Sequence, residues 1–524
     1  MACVDAQKRV PTGHSSLLQL LQQDLRLKTY RLRLTTYNCP LDIHGFATMV
    51  LDALPFEPTD QQIQLVAALS RFCSSHTPQD SVFLLNGYAG TGKTSVMGAL
   101  VRTLNAVGIP TVLLASTGRA AKVFSNFTGM PAHTIHRKIY RAPAIGPDGK
   151  LVARINQNPH VNTVFIVDEA SMIGDGAEGG MSLLEDLVMY VYTGVNCKLI
   201  LLGDTAQLPP VGLTESPAME PKVLKELGLR VTRAVMTRTV RQKRRSGILY
   251  NATMLRRALQ KDPLPEPEMR VTGFPDMVVV APEDLEDALQ KSFALFGEGE
   301  TIIITRSNRR AVDFNLAVRR VIYDREEILV RGERLIVSKN NYYWTRRSVI
   351  ESSGSTVENA PDVRPMDFVA NGENAVVEEV YSTEKRDDML FADVRLYFPD
   401  HDSRLDAKIN LDALTADTAN LPPEKQRKMF DMAMVSAGLG ATASATAIRD
   451  ALKADPYYNA LQVKYAYAVT CHKAQGGQWA SVFVDMGYIP PEAYRTLDFY
   501  RWLYTATSRA TSRLSLVNPA IPIV

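Results

Sequence analysis

The chain has 524 residues, 46% of them hydrophobic and 22% charged, with a formal net charge of +3. That length calls for several compact units, and that composition excludes a disordered or low-complexity chain. Five scattered cysteines without metal-ligand spacing, no apolar run of membrane-spanning length and no signal-peptide pattern argue against a disulfide scaffold and a membrane protein, and point to a cytoplasmic chain.

Residues 1–55 carry no motif and are read as an N-terminal extension; Leu17 to Leu27 has the spacing of an amphipathic helix with a basic end. A helix is expected after Phe56-Glu57-Pro58-Thr59, with Gln61 and Gln62 in its first turn. A glutamine amide both donates and accepts, so it can read an adenine edge, although glutamine is also common on helix surfaces. Val82 to Leu85 reads as a buried strand. It runs into Gly87-Tyr88-Ala89-Gly90-Thr91-Gly92-Lys93-Thr94, followed by Ser95 and a helical pattern of Val96, Leu100, Leu104 and Val107. Strand, glycine-rich turn and helix is the setting of a phosphate-binding loop. Its backbone N–H groups close around phosphate oxygens, Lys93 reaches the β- and γ-phosphates, and the Thr94 hydroxyl suits Mg²⁺. Gly87 through Ser95 are therefore candidate ATP ligands.

Thr111 to Ala115 is a second buried strand, entering Ser116-Thr117-Gly118-Arg119-Ala120-Ala121-Lys122 and then Thr134-Ile135-His136. Hydroxyls and basic groups past a strand end suit phosphate-backbone contacts, or simply cap and solvate a helix. Tyr140 to Gln157 holds Gly146-Pro147-Asp148-Gly149 between two partly alternating segments, a hairpin signal. Thr163 to Val167 is a third buried strand, ending in Asp168-Glu169. There Asp168 is placed to hold Mg²⁺ and Glu169 to orient and deprotonate a water. Lys198 to Leu202 is a fourth, ending in Gly203-Asp204-Thr205-Ala206-Gln207, where the Gln207 amide can sense a γ-phosphate. All four strands deliver polar loops at one end, where open α/β sheets bind ligands. From Val231 to Lys261 there are nine Lys or Arg and no acid, with Arg241 inside the run. Such a run is a solvated face or an anion-binding footprint, and an arginine fork suits charge building on a transferring phosphoryl group.

A second set of buried strands is expected at Met277–Val280, Thr301–Thr305, Tyr465–Thr470, Ser481–Asp485 and Arg513–Val517. Residues from Val321 to about Gln462 interrupt this set. They hold β-rich segments (Glu333–Val337, Asn374–Val380, Phe391–Tyr397) and a helical stretch from Pro423 to Leu452, read as a small barrel with a helical appendage. Polar loops follow at Cys471-His472-Lys473-Ala474-Gln475 and Tyr504-Thr505-Ala506-Thr507-Ser508-Arg509. Cys471 and His472 are adjacent on one loop with no orienting carboxylate, which argues against a cysteine nucleophile.

In order and spacing these stretches resemble helicase superfamily 1, class B, in its RecD-like and Dda-like branch. The resemblance is carried by GYAGTGKT, ASTGRAAK, HTIH, IVDEAS, LLGDTAQLPPVG, TRTVRQ, AVTCHKAQG and LYTATSRA, from Phe56 to the end. It implies an α/β fold of two RecA-like P-loop motor domains with parallel sheets, a β-hairpin insertion in the first and an SH3-like β-barrel insertion in the second. The implied boundaries are 56–262 for the first domain, with its hairpin at about 138–160; 263–325 and 463–524 for the second; and 326–462 for the insertion. Carried over by position, Gln62 matches the adenine reader, Lys93 and Thr94 the phosphate and Mg²⁺ contacts, and Asp168 and Glu169 the metal-holding and water-activating acids. Gln207 matches the γ-phosphate sensor, and Arg241 and Arg509 the arginines that approach from the inter-domain side. Thr117, Arg119, Lys122, Thr134, His136, His472 and Lys473 fall at or beside DNA-facing positions. The implied function is an ATP- and Mg²⁺-dependent 5′→3′ DNA helicase acting on single-stranded DNA and single/double-strand junctions. The alternative is a DNA-stimulated translocase that removes proteins with little unwinding. Two departures stand out: Ser116 replaces a usual proline, and the hairpin tip lacks an aromatic.

Overall fold

The computed structural model describes residues 42–145, 151–174, 182–238, 246–345, 368–400, 402–440 and 442–524. The extension upstream of residue 42, the tip of the hairpin and Arg241 lie outside the described residues.

The first half opens with helix α1 (Ile43–Asp52), capped by the Asp42 carboxylate on the Gly45 N–H, and helix α2 (Asp60–Phe72), capped by Thr59. Phe46, Ala47, Val50 and Leu51 of α1 are buried in the same core as α2, so this packing unit begins ten residues before Phe56. The strands then follow in chain order: β1 (Ser81–Gly87), β2 (Thr111–Ala115), β3 (Ala132–Thr134), the antiparallel pair β4 (Tyr140–Ile145) and β5 (Leu151–Ile155), β6 (Val164–Asp168), β7 (Lys198–Gly203) and β8 (Arg230–Met236). Six of them make a parallel sheet in the order β3-β2-β6-β7-β1-β8. Its central strands are continuous apolar runs because both faces are covered. Val82, Phe83, Leu84 and Leu85 are at most 1% exposed, and each contributes roughly 1.5–3 kcal/mol by leaving water. Helices α3 (Lys93–Ala106) and α4 (Gly118–Thr128) return the chain between strands. The short α5 (Ile135–Ile139) leads into the β4–β5 hairpin. The base of that hairpin is fixed by Tyr140, whose hydroxyl donates to Asp186 at 2.5 Å on α6 (Leu183–Tyr192).

Helix α7 (Gly247–Ala258) does not stay with the first sheet. Ile248, Ala252 and Leu255 are buried with Met277, Val482, Tyr504 and Leu514, in the core of the second sheet. The chain therefore crosses between domains before Gly247, earlier than the boundary expected near residue 262. The second sheet starts with β9 (Met277–Val280) and β10 (Thr301–Thr305). The chain then leaves for a closed barrel of β11 (Arg334–Val337), β12 (Asn374–Arg386), β13 (Met389–Phe398), β14 (Ser403–Asn410) and β15 (Leu461–Tyr465). Two helices, α8 (Pro423–Ser436) and α9 (Ala445–Ala454), stand where one helical stretch was expected. The chain returns as β16 (Ala468–Thr470), β17 (Trp479–Asp485), α10 (Leu497–Thr507) and β18 (Ala510–Val517), giving the parallel order β16-β10-β17-β18-β9. The expected single strand Tyr465–Thr470 is thus two strands in two different sheets, split by Ala466 and Tyr467.

That junction is tightly bonded. The Ala466 N–H donates to Arg334 O at 2.9 Å and the Tyr467 N–H to Asn315 Oδ1 at 3.0 Å. The fully buried Glu333 carboxylate accepts from Arg319 (3.0 Å), Arg325 (3.2 Å) and the Tyr467 hydroxyl (2.8 Å). Among the described residues, no helix is long and apolar enough to cross a membrane.

Candidate nucleotide site and inter-domain cleft

The carboxyl ends of β1, β2, β6 and β7 meet over a cavity of about 440 Å³. Tyr88, Ala89, Gly90, Gly92, Lys93, Thr94 and Ser95 line it, as do Asp168, Glu169 and Gln207; Gly476, Gln478, Ser508 and Arg509 close it from the second domain. Gly90 and Gly92 have φ of +77° and +83°, the left-handed backbone a glycine adopts without steric cost. Helix α2 is capped by Thr59 and α4 by Thr117, whereas α3 begins at Gly92 with no side-chain cap. Its first N–H groups therefore remain available to an anion. Lys93 Nζ donates back to Gly87 O across the loop. Gly87 and Thr91 sit behind the lining. A Cβ on Gly87 would lie 2.5 Å from Lys93 Cδ, and the buried Thr91 hydroxyl donates to Tyr88 O at 2.8 Å.

Glu169 is a non-glycine residue at φ +52°, ψ +39°. Such a conformation persists where its surroundings over-determine it. Here the Glu169 N–H donates to Asp168 Oδ1 (2.9 Å), while its carbonyl accepts from Ser116 Oγ (2.8 Å) and the Met172 N–H (3.0 Å). Ser116, the departure from proline, thus touches the backbone of the candidate base. Burial, and next the charge of Glu169, push the Asp168 carboxyl up to about 6, against the opposing pull of Lys93 and the Glu169 N–H. Gln207 is 5% exposed, and its Oε1 has no hydrogen-bond partner. Arg509 is 4% exposed and donates to Thr505 O, Gly477 O and Ser508 Oγ, which fixes the guanidinium at the second domain's edge of the cavity.

Gln62 is placed elsewhere. Its side chain is fully buried, its Oε1 accepts from the Thr59 N–H at 2.9 Å to complete a capping box, and its Nε2 faces Thr91 O. It does not line the cavity. Gln61 bonds the Thr237 and Arg238 N–H groups instead. Phe56, Glu57, Val123 and Phe127 line the cavity too, and Phe127 is 49% exposed. In the sequence Phe56 marks only a helix start, and Phe127 carries no signal at all.

A second cavity of about 650 Å³ runs between both domains and the barrel. Arg119, Arg306, Arg309, Arg334 and Lys473 line it against Glu298 and Asp417, with Thr117, His472 and Trp479. The balance of charge favours an anionic polymer. The Arg119 guanidinium stacks 4.0 Å over Trp479 and donates to Gln478 O at 2.7 Å, so it bridges the motor domains. Lys122 bonds Pro399 O at 2.9 Å and Asp400 at 3.3 Å, on the β13–β14 turn of the barrel. Arg119 and Lys122, two of the basic groups expected on DNA, are thus each bonded to protein partners. Thr134 and His136 do not line the channel: Thr134 caps α5, and the His136 ring lies 5.7 Å from that of Tyr140. Lys473 Nζ is buried and has no hydrogen-bond partner, and burial pushes its pKa down to about 8. Burial raises the Cys471 thiol to about 12, which leaves it inert.

Thr94 and Asp168 offer hard oxygen donors beside the phosphate loop, a set that fits Mg²⁺ sharing its shell with phosphate and water. Among the described residues, no group of three or more His, Cys, Asp or Glu gathers to hold a metal alone.

Fold and cavity define a P-loop nucleotide-binding protein of two RecA-like domains with a barrel insertion. Residues 60–259 match the AAA domain family, and residues 465–517 the UvrD-like helicase C-terminal domain. Over 128 residues the chain is 35% identical to the ATP-dependent RecD2 DNA helicase of Deinococcus radiodurans; that stretch is 24% of this chain and 16% of the relative's length. Similar solved structures include Pif1 helicase from Bacteroides in complex with ADP-AlF3 and ssDNA (14% identity, 88% of this chain and 92% of that one, TM-score 0.44). Pif1 helicase from Candida albicans is another (16% identity, 88% and 95%, TM-score 0.41). The chain thus carries an AAA domain match in its first half and a UvrD-like helicase C-terminal domain match near its end.

Proposed function

We propose that the chain is an ATP-driven motor that moves 5′→3′ along single-stranded DNA and separates duplex at a junction. One observation carries the reading: a single cavity joins the phosphate loop, Asp168, Glu169 and Gln207 of one domain to Arg509 of the other. The matched stretch of a relative named as a DNA helicase supports it, as does the basic channel beside the cavity.

In this reading Glu169 takes a proton from water as the water oxygen bonds to the γ-phosphorus. The bond from that phosphorus to the bridging oxygen breaks, and ADP leaves with its electron pair. Lys93 and Arg509 donate to the charge that develops on the transferring group, and Gln207 reports its presence. Thr94 and Asp168 would hold Mg²⁺, which when bound neutralises phosphate charge. Phe56 and Phe127 offer apolar surface for the base. Arg509 and the phosphate loop sit on different domains, so nucleotide closes the cleft and its release opens it. Each cycle then slides one DNA grip past the other. Contacts to phosphates give strong salt dependence and little sequence preference.

The test is ATP turnover with and without single-stranded DNA, using Lys93→Ala as control. Strong stimulation, lost in the variant, is expected; forked duplexes with 5′ or 3′ tails then read direction. Turnover indifferent to DNA would sink the proposal.

A further inference from the structure

Between the ATP cavity and the channel lies the segment Asp204–Leu208, bonded at both ends. On its own domain, Asn86 pairs with Thr205 in both directions, at 2.9 and 3.3 Å. Toward the second domain, the Leu208 N–H donates to Thr505 Oγ1 at 2.9 Å, and Gln475 Nε2 donates to Leu208 O at 2.6 Å. Gln475 itself lines the channel, two residues from Lys473. Gln207, between these anchors, faces the ATP cavity.

Tyr504 of α10 binds this segment and the phosphate loop together. Its hydroxyl donates to Asp204 Oδ2 at 2.6 Å and accepts from the Ala89 N–H at 2.9 Å. The other Asp204 oxygen accepts from the Ala206 N–H at 3.0 Å. The side chain is 1% exposed. One phenol of the second domain thus satisfies a phosphate-loop amide and a buried carboxylate of the first at the same time. A phenylalanine would fill the same space and bury the same apolar area, so the hydroxyl is there for those two bonds. Charge-assisted bonds of this length are among the stronger kind, and the low-polarity surroundings strengthen them further.

We propose that Tyr504 is a positioning residue that couples the nucleotide state of the phosphate loop to the DNA grip of the second domain, acting through Asp204 and its segment. This rests on the motor reading above. A shift of the phosphate loop on binding or losing phosphate moves the Ala89 amide. The hydroxyl must follow or lose a bond, and Thr505 and Gln475 carry the change to the channel wall.

The coupling is read as the ratio of affinities for a fluorescein-labelled oligothymidylate with and without a non-hydrolysable ATP analogue and Mg²⁺. Coupled sites in proteins commonly show ratios of about 5–150. In Tyr504→Phe the ratio should fall toward one, by about tenfold, the equivalent of one charge-assisted hydrogen bond. A residue of merely structural importance would lower the melting temperature and leave the ratio intact; that result overturns the proposal. If Tyr504→Phe does not fold, Asp204→Ala removes both acceptor oxygens and must collapse the ratio in the same way; an unchanged ratio there also overturns it. A wild-type ratio of one, or no binding of DNA at all, defeats the motor reading and this inference with it. Coupling present in the wild type and kept in either variant defeats this inference alone.

Discussion

Replacing Ser116 with alanine removes one hydroxyl, 2.8 Å from the carbonyl of Glu169. Glu169 holds a left-handed backbone that aims its carboxylate into the ATP cavity. The Met172 N–H still bonds that carbonyl, and Asp168 still accepts the Glu169 N–H, so the turn survives the change. What is lost is one neutral hydrogen bond, worth about 1 kcal/mol. If that energy restrains the base in the transition state, kcat drops about fivefold. KM for ATP should not move, because the nucleotide is held by the phosphate loop rather than by Glu169. Steady-state ATP turnover at saturating single-stranded DNA measures both. Removing the base itself, in Glu169→Gln, should cost about 10²–10⁴-fold in kcat, which sets the scale. A wild-type kcat in Ser116→Ala, or a change confined to KM, would refute the idea that this hydroxyl positions the base.

The two lysines expected on DNA should behave differently. Lys473 contacts phosphate in our reading, so Lys473→Ala should reduce the log–log salt slope of DNA affinity by about one, while Lys122→Ala, bonded to the barrel, should leave the slope unchanged; the reverse pattern would return Lys122 to the DNA path. Lys473 is cationic in the free protein below about 8 and neutral above it, so DNA affinity should fall as pH rises through that value with uptake of a proton on binding, and Lys473→Arg should flatten the profile; fluorescence anisotropy between pH 7 and 9.5 checks this. Glu333→Ala leaves the buried Arg319 without its carboxylate, a change that costs about 3–5 kcal/mol, and should raise hydrogen exchange at Ala466 and Tyr467; unchanged protection there would show the junction to be held by other contacts.

The first sheet was largely readable because its central strands are apolar on both faces and end in loops of distinctive chemistry. Strand β8 was not, since its sequence, Arg230 to Met236, is basic and mostly exposed at the sheet edge. It looks like a solvated run until β1 pairs with it. Helix α1 was missed because no motif marks it; its apolar face becomes visible only when α2 and α3 cover it. In the barrel, β14 (SRLDAKIN) does carry a strand signal, Leu405, Ala407 and Ile409 alternating with Arg404, Asp406, Lys408 and Asn410, but the run is short and has no motif beside it. Tyr465–Thr470 reads as one strand because nothing in the sequence shows that a chain extended throughout changes sheets between Tyr465 and Ala468. At the site, the phosphate loop and acidic pair were legible because their chemistry dictates residue type and spacing. The destinations of Gln62, Arg119 and Lys122 were not, since an amide or a cation serves a protein carbonyl as readily as a ligand. Tyr504 sat inside a recognised stretch, but its two partners are 300 and 415 residues away in the chain.

The short passage from barrel to second sheet has a mechanical meaning. A swivelling domain needs a length of backbone that can change its dihedral angles freely. Ala466 and Tyr467 offer none: each N–H is engaged, and the tyrosine ring is tied to Glu333. Beyond them β16 runs three residues to Thr470, and the channel-lining His472 and Lys473 come next. The barrel is therefore a lever whose fulcrum is this junction and whose short arm is the loop that lines the channel. Force applied at the far rim, such as a pull of the Lys122 contact on the β13–β14 turn, arrives at His472 and Lys473 through a stiff rod rather than a tether.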